Sequence, residues 1–191
     1  SIYFKIENHP EKLEVFTTRP DTVFGVSYMT LAPEHPLVKK ITSLDQQKAV
    51  EGYIEKVAGK SDRERQADVK SVSGVFTGAH ALHPFTGQRI PIWIGEYVLA
   101  GYGTGAVMAV PSGDQRDFDF ATHFGLPIIN IFKGKDISQG AFSDKENFGL
   151  IHSGFLEGMD YKSAMKKVIY ELESQKFGAG NGQNHKPQKG F

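Results

Sequence analysis

Residues 73–111 read SGVFTGAHALHPFTGQRIPIWIGEYVLAGYGTGAVMAVP, and this stretch decides the fold. It holds β-rich runs at Val75-Phe-Thr77, Ile90-Pro-Ile-Trp-Ile94, Tyr97-Val-Leu-Ala100 and Ala106-Val-Met-Ala-Val110. A turn at His83-Pro-Phe-Thr-Gly87 and glycines at 101, 103 and 105 separate them. Short strands with Gly and Pro punctuation predict a closed or nearly closed barrel, not a βαβ array. The run Gly101-Tyr-Gly-Thr-Gly-Ala106 fits G-x-G-x-x-A, but that phosphate motif needs a helix next. Here the following residues favour strand and end at Pro111, so the glycines mark a kink or a close approach to the backbone.

Upstream, residues 2–6 and 13–17 read as strands around a turn at Asn8-His-Pro-Glu11, and Val23–Leu31 reads as a further β-run. Glu34–Thr42 suggests a short helix. Asp45–Ala58 suggests a second, capped by Asp45, with Val50, Ile54 and Val57 on one face. Residues 60–70 alternate charge and read as a solvated helical turn or loop. Downstream, the pattern gives a helix over Asp114–Phe124 and a strand over Ile128–Phe132. A further helix over Asp160–Lys176, capped by Asp160, completes it. The expected class is therefore α+β, a β-barrel-like core of mixed strands with peripheral helices. Residues 1–176 form the domain, and 177–191 a flexible tail or linker remnant.

Composition excludes several functions. The chain has 191 residues, 39% of them hydrophobic, enough for one cored domain without staples. It has no cysteine, so disulfides, thiolate zinc sites and a cysteine nucleophile are ruled out, and a cytoplasmic home is expected. No apolar run reaches the ~18–20 residues that span a bilayer, and Ser1-Ile-Tyr-Phe-Lys5 lacks a signal-peptide pattern. Twenty-two Lys and Arg balance 22 Asp and Glu, which argues against nucleic-acid binding through an overall field. His80 and His83 lack thiol partners and an adjacent glutamate, so they read as structural. G-x-S-x-G and Walker A patterns are absent.

Two segments carry chemistry. Thr17-Thr-Arg-Pro-Asp-Thr22 places hydroxyls, a guanidinium and a carboxylate on backbone stiffened by Pro20. It is either a polar strand-to-turn junction or a set of donors for a phosphate, ribose or ester. Asp114-Gln-Arg-Asp117 opens a helix. Asp114 as cap and Asp117 as dipole complement explain acidic residues there, each worth ~1 kcal/mol or less. They do not explain two carboxylates and an arginine at the mouth of a Gly-rich strand.

Five blocks in order resemble the editing domain of bacterial-type leucyl-tRNA synthetase, the connective-peptide insertion of that class I enzyme. They are Thr17-Thr-Arg-Pro-Asp-Thr-Val-Phe-Gly25, Leu31-Ala-Pro-Glu-His-Pro-Leu37, Pro91-Ile-Trp-Ile-Gly-Glu-Tyr-Val-Leu99, Gly101–Pro111 and Asp114–Asp117. The similarity covers residues 2–176. Isoleucyl and valyl editing domains carry Trp or Glu in place of Asp21 and lack the Phe-Gly that follows, so Asp21-Thr22 points to leucine. The resemblance implies post-transfer editing, the hydrolysis of the ester joining norvaline, isoleucine or methionine to tRNA-Leu while leucyl-tRNA-Leu is spared. An apolar pocket separates side chains one methylene apart by only ~1–3 kcal/mol, a magnitude carried over from other synthetases, hence the need for a second site.

Residue by residue, the resemblance makes Asp117, Thr17 and Thr18 catalytic, with Asp117 gripping the α-ammonium and water as the attacker. Thr22 blocks the branched end of leucine. Arg19 joins the strand that contacts the terminal adenosine, Asp114 lies near the ammonium, and Tyr102, Met108 and Val110 line the pocket. No metal and no cofactor are implied for this domain, while ATP and Mg2+ serve the parent enzyme. The partners implied are the acceptor end of tRNA-Leu and the rest of the synthetase chain, with no membrane. Gly113 stands where the family often has His, and the H-I-G-H and K-M-S-K-S signatures of aminoacylation are absent. The chain is accordingly read as an excised editing domain or a free-standing relative, with the fragment favoured. A module that binds the acceptor end without turnover is the rival reading.

Overall fold

The computed structural model describes residues 1–67 and 71–178. Its strands are β1 (Ile2–Ile6), β2 (Lys12–Val15), β3 (Tyr28–Leu31), β4 (Val75–Leu82), β5 (Arg89–Ile94) and β6 (Ala106–Ala109). They form one sheet in the order β2-β1-β4-β5-β3-β6. Every ladder is antiparallel except β3 with β5. The end strands β2 and β6 curl to meet. A side chain fastens this seam, as Thr104 Oγ1 donates to the Glu14 carbonyl at 2.6 Å. The sheet is thus a nearly closed barrel, as the strand spacing predicts.

Alternation fills the interior. Ile2, Phe4 and Ile6 of β1 point inward between exposed neighbours, and Leu13, Val15, Ala81, Ile90 and Ile92 join them. Curvature comes from a bulge between Phe76 and His80. There Thr77 Oγ1 donates to the Ile92 carbonyl and accepts the Ala79 N–H. Gly78 sits at φ 82°, and a Cβ on it would strike Ser43, so no other residue fits.

The helices are α1 (Leu37–Ile41), α2 (Gln47–Val57), α3 (Asp62–Ala67), α4 (Gln115–Phe124) and α5 (Tyr161–Ser174). α4 covers the outer face of the sheet, where Phe120 stacks on Tyr28 and meets Trp93 edge-on. β3 is therefore buried on both faces. Asp160 caps α5, accepting the Ser163 N–H at 2.8 Å. Among the described residues no helix is long and apolar enough to cross a membrane.

Several expected elements differ. Val23–Leu31 is not one strand. Pro20–Gly25 winds as a 3-10 helix, since Pro20 presets φ and the Thr22 N–H and hydroxyl both donate to the Arg19 carbonyl. Tyr97–Ala100 is a turn whose Val98 and Leu99 are apolar because they are buried. Ile128–Phe132 keeps only a bridge from Phe132 to Leu150, because the Asn130 side chain binds the Phe132 N–H and the Lys135 carbonyl instead. Asp45 does not cap α2; it accepts from Ser43 Oγ before a 3-10 turn at Leu44–Gln46. Phe177 and Gly178, read as tail, pair with Tyr3 and Ile2. The remainder of that tail, and residues 68–70 of the charged segment, lie outside the described residues.

The segment expected to be solvated contributes a buried arginine. Arg65 on α3 is 3% exposed and donates to the carbonyls of Glu96 and Val98 at 2.7 and 2.8 Å, and to Glu34 at 2.6 Å. It fixes the turn that follows β5. Arg65→Met leaves two buried carbonyls without donors and should lower unfolding free energy by about 2–4 kcal/mol, read by urea titration.

Candidate active site

Two short pieces of chain meet at one end of the barrel. Thr17–Thr22 follows β2 and turns into the 3-10 helix, and α4 begins at Gln115, five residues after Val110 leaves β6. Between them lies a cavity of about 150 Å³ lined by Thr17, Thr18, Arg19, Thr22, Met108, Val110, Gly113, Asp114 and Asp117. The structure thus gathers every residue implicated by sequence except Tyr102. Tyr102 is 67% exposed on the turn before β6, where its carbonyl accepts the Gly105 N–H. Its expected place in the pocket wall is corrected accordingly, because this turn faces outward.

Asp117 is the most constrained group. Its own N–H donates to Asp114 Oδ1 at 3.0 Å, so Asp114 is the cap of α4. One carboxylate oxygen accepts the Val110 N–H at 3.0 Å and the other the Tyr97 hydroxyl at 3.1 Å. Burial pushes its pKa up to about 8, with the nearby Asp114 charge adding and the two hydrogen bonds opposing. Asp114 itself is exposed.

The arginine is held differently from expectation. Its guanidinium grips Asp21 with two hydrogen bonds of 3.0 Å and lies over the Tyr161 ring at 5.2 Å. Asp21 is fully buried, so the pair braces the loop across Pro20. Sequence reasoning used Asp21 only to mark the leucine-type motif; its tertiary partner was not legible. Thr17 Oγ1 accepts the Arg19 N–H at 3.0 Å and retains its own proton for another acceptor. Thr22, 4% exposed, commits its hydroxyl proton to the Arg19 carbonyl at 2.8 Å, so it has none to donate into the cavity.

A Cβ at Gly113 would meet the Phe132 ring at 3.4 Å and Val110 at 3.6 Å, ordinary contacts that leave room for a larger residue. The cavity lining among the described residues contains no Cys, Ser or His, and its hydroxyls are those of Thr17, Thr18 and Thr22. Ser112 is fully buried. His83 is structural, with Nδ1 accepting the Phe85 N–H and Nε2 facing the Val23 carbonyl. Burial lowers its pKa.

A nearly closed barrel whose threonine-rich turn faces a helix-borne aspartate pair defines a class I synthetase editing-type domain. The profile of the family described as leucyl-tRNA synthetase, editing domain, matches residues 1–173. This chain belongs to that family. It is 62% identical to a leucine–tRNA ligase of Christiangramia forsetii over 95% of the chain, and 58% identical to that of Flavobacterium johnsoniae over 96%. It spans only about a fifth of the length of these relatives (19% and 20%). A leucyl-tRNA synthetase of Agrobacterium radiobacter K84, solved in ternary complex with tRNA and LeuAMS, superposes with a TM-score of 0.69. Its sequence is 30% identical, over 93% of this chain and 19% of that one.

The Asp117 pKa has a consequence for stability. A carboxyl group whose folded pKa is about 8, against an ordinary 3.8, contributes most when protonated. That contribution is complete below the unfolded value and fades as pH rises from about 4 through 8. Urea midpoints of the wild type should fall across this window, and Asp117→Asn should flatten the fall.

Proposed function

We propose that this domain hydrolyses the ester of tRNA-Leu carrying a noncognate amino acid such as norvaline, isoleucine or methionine, and spares leucyl-tRNA-Leu. One observation carries the reading: Thr17, Thr18 and Thr22 converge with Asp117 in a single cavity of about 150 Å³. A carboxylate with both oxygens positioned suits an α-ammonium, since charge-assisted hydrogen bonds are about twice as strong as neutral ones. The threonine hydroxyls at 17 and 18, both in the cavity lining, would orient the ester and the attacking water. Water adds to the carbonyl carbon, the bond to the ribose oxygen breaks, and that oxygen leaves with a proton. Water and ester supply every atom, and the protein supplies orientation and electrostatics.

Specificity follows from the apolar part of the cavity lining. Thr22, with Met108 and Val110, limits the space for a branched side chain. The terminal adenosine would enter beside Thr17–Arg19, with the tRNA body held by the remainder of a synthetase. Neutral net charge suits a domain that meets only the acceptor end. ATP and Mg2+ would belong to the aminoacylation site elsewhere in that enzyme, and the lack of cysteine suits a cytoplasmic setting.

A deacylation assay with norvalyl- and isoleucyl-tRNA-Leu, in a full-length synthetase carrying this domain, tests the reading. Asp117→Ala should reduce hydrolysis at least about 100-fold, the scale of a lost oriented electrostatic contact. Persistent cleavage by that variant would overturn the assignment. Thr22→Ala should admit leucine, seen as deacylation of leucyl-tRNA-Leu that the wild type leaves intact. In the free enzyme Asp117 ionises only near pH 8, while an α-amino group loses its proton near pH ~7.7–8.0. The profile of kcat/KM should therefore be a narrow bell at mildly alkaline pH.

A further inference from the structure

We propose that Tyr97 is a positioning residue for editing: it aims the Asp117 carboxylate into the cleft and favours its charged form. The inference rests on the editing reading above and extends it to a residue behind the cavity wall. Tyr97 does not line the cavity with Thr17 and Thr22; it stands on the turn after β5. Its hydroxyl donates to Asp117 Oδ1 at 3.1 Å.

The hydrogen bonds around it form a directed chain. Tyr28 Oη, on β3, donates to the Asp117 backbone carbonyl at 3.2 Å. Since the single Tyr97 proton is committed to Asp117, the Thr30 hydroxyl 3.1 Å away must donate to Tyr97 Oη. Such a donation polarises the phenol and strengthens its bond to the carboxylate. Burial and the adjacent Asp117 charge raise the Tyr97 pKa well above 10, so it stays a neutral donor at any working pH. Two phenols, from β3 and the turn after β5, thus hold the backbone and the side chain of one helical residue, with Thr30 behind Tyr97.

The charged and titratable groups facing Asp117 are few. Asp114 lies on the same helix and opposes ionisation. Tyr97 and Tyr28 approach from the sheet side. Across the cleft, the Arg19 charge is engaged by Asp21, and Arg116 beside Asp117 donates to the Gln66 carbonyl. With both guanidiniums directed elsewhere, the Tyr97 hydroxyl and the Val110 N–H are what favour the carboxylate form.

Tyr97→Phe keeps the ring that packs on Phe120 at 5.6 Å and deletes only the donor. Titration of the Asp117 carboxyl carbon by NMR on the 191-residue protein should show its midpoint rising by about one pH unit. The acidic limb of kcat/KM for norvalyl-tRNA-Leu should move with it. Thr30→Val, which removes the donor to Tyr97 without touching Asp117, should shift both the same way by less, and Thr30→Ser should restore them. An unmoved Asp117 midpoint in Tyr97→Phe and Thr30→Val would overturn the proposal. So would a uniform loss of hydrolysis at all pH values with a fixed midpoint, since that marks a purely structural role. Should the wild type fail to hydrolyse, the editing reading falls, while the carboxyl titration still decides the role of Tyr97.

Discussion

Asp117 ties the architecture together through four hydrogen bonds. Its N–H goes to the Asp114 cap, its carbonyl takes the Tyr28 hydroxyl, and its two carboxylate oxygens take Tyr97 and Val110. These partners belong to α4, β3, the turn after β5 and the exit from β6. A single residue therefore fixes how the helix sits on the barrel. It also holds an acid in a desolvated place, which is the condition for an altered pKa.

The opposite wall follows the same logic with different chemistry. Pro20 forces the chain out of strand, Thr22 closes the resulting 3-10 turn, and Asp21 is buried against the Arg19 fork. The loop is held by its own side chains and by neighbours, with the Tyr161 ring beneath the Arg19 guanidinium and His83 against the Val23 carbonyl. The cavity is thus framed by a stiff loop on one side and an anchored helix on the other, as a site that works by orientation requires. Arg65 extends the principle outward, pinning the Glu96–Val98 turn from which Tyr97 projects.

Much of this was legible in the sequence. The β-runs at 2–6, 75–77, 90–94 and 106–110 follow from alternation and punctuation and correspond to β1, β4, β5 and β6, though β4 runs on to Leu82. Both α4 and α5 begin at the aspartates their patterns indicate. The readings that failed share a cause. Val98, Leu99 and Ile128 are apolar because they are buried or packed in irregular backbone, and a short apolar run does not distinguish that from a strand. Arg65 failed in the opposite sense, since a charged residue in a polar segment gives no sign of two carbonyls waiting for it in the interior.

Zero net charge and the lack of cysteine are sequence facts, and with the ordered motifs they determine the family, the candidate site residues and a chemistry without a thiol nucleophile. The tertiary structure alone decides that Thr17–Thr22 and Asp114–Asp117 face each other, that Tyr102 stands outside, and that Arg19 is answered by Asp21. It alone brings the hydroxyl of Tyr97 to the Asp117 carboxylate, that of Tyr28 to the Asp117 carbonyl and that of Thr30 to Tyr97. The physical reason is separation along the chain. Local pattern encodes propensity and capping within a few residues, whereas burial and hydrogen bonding between residues 20 to 89 positions apart exist only once the barrel has closed.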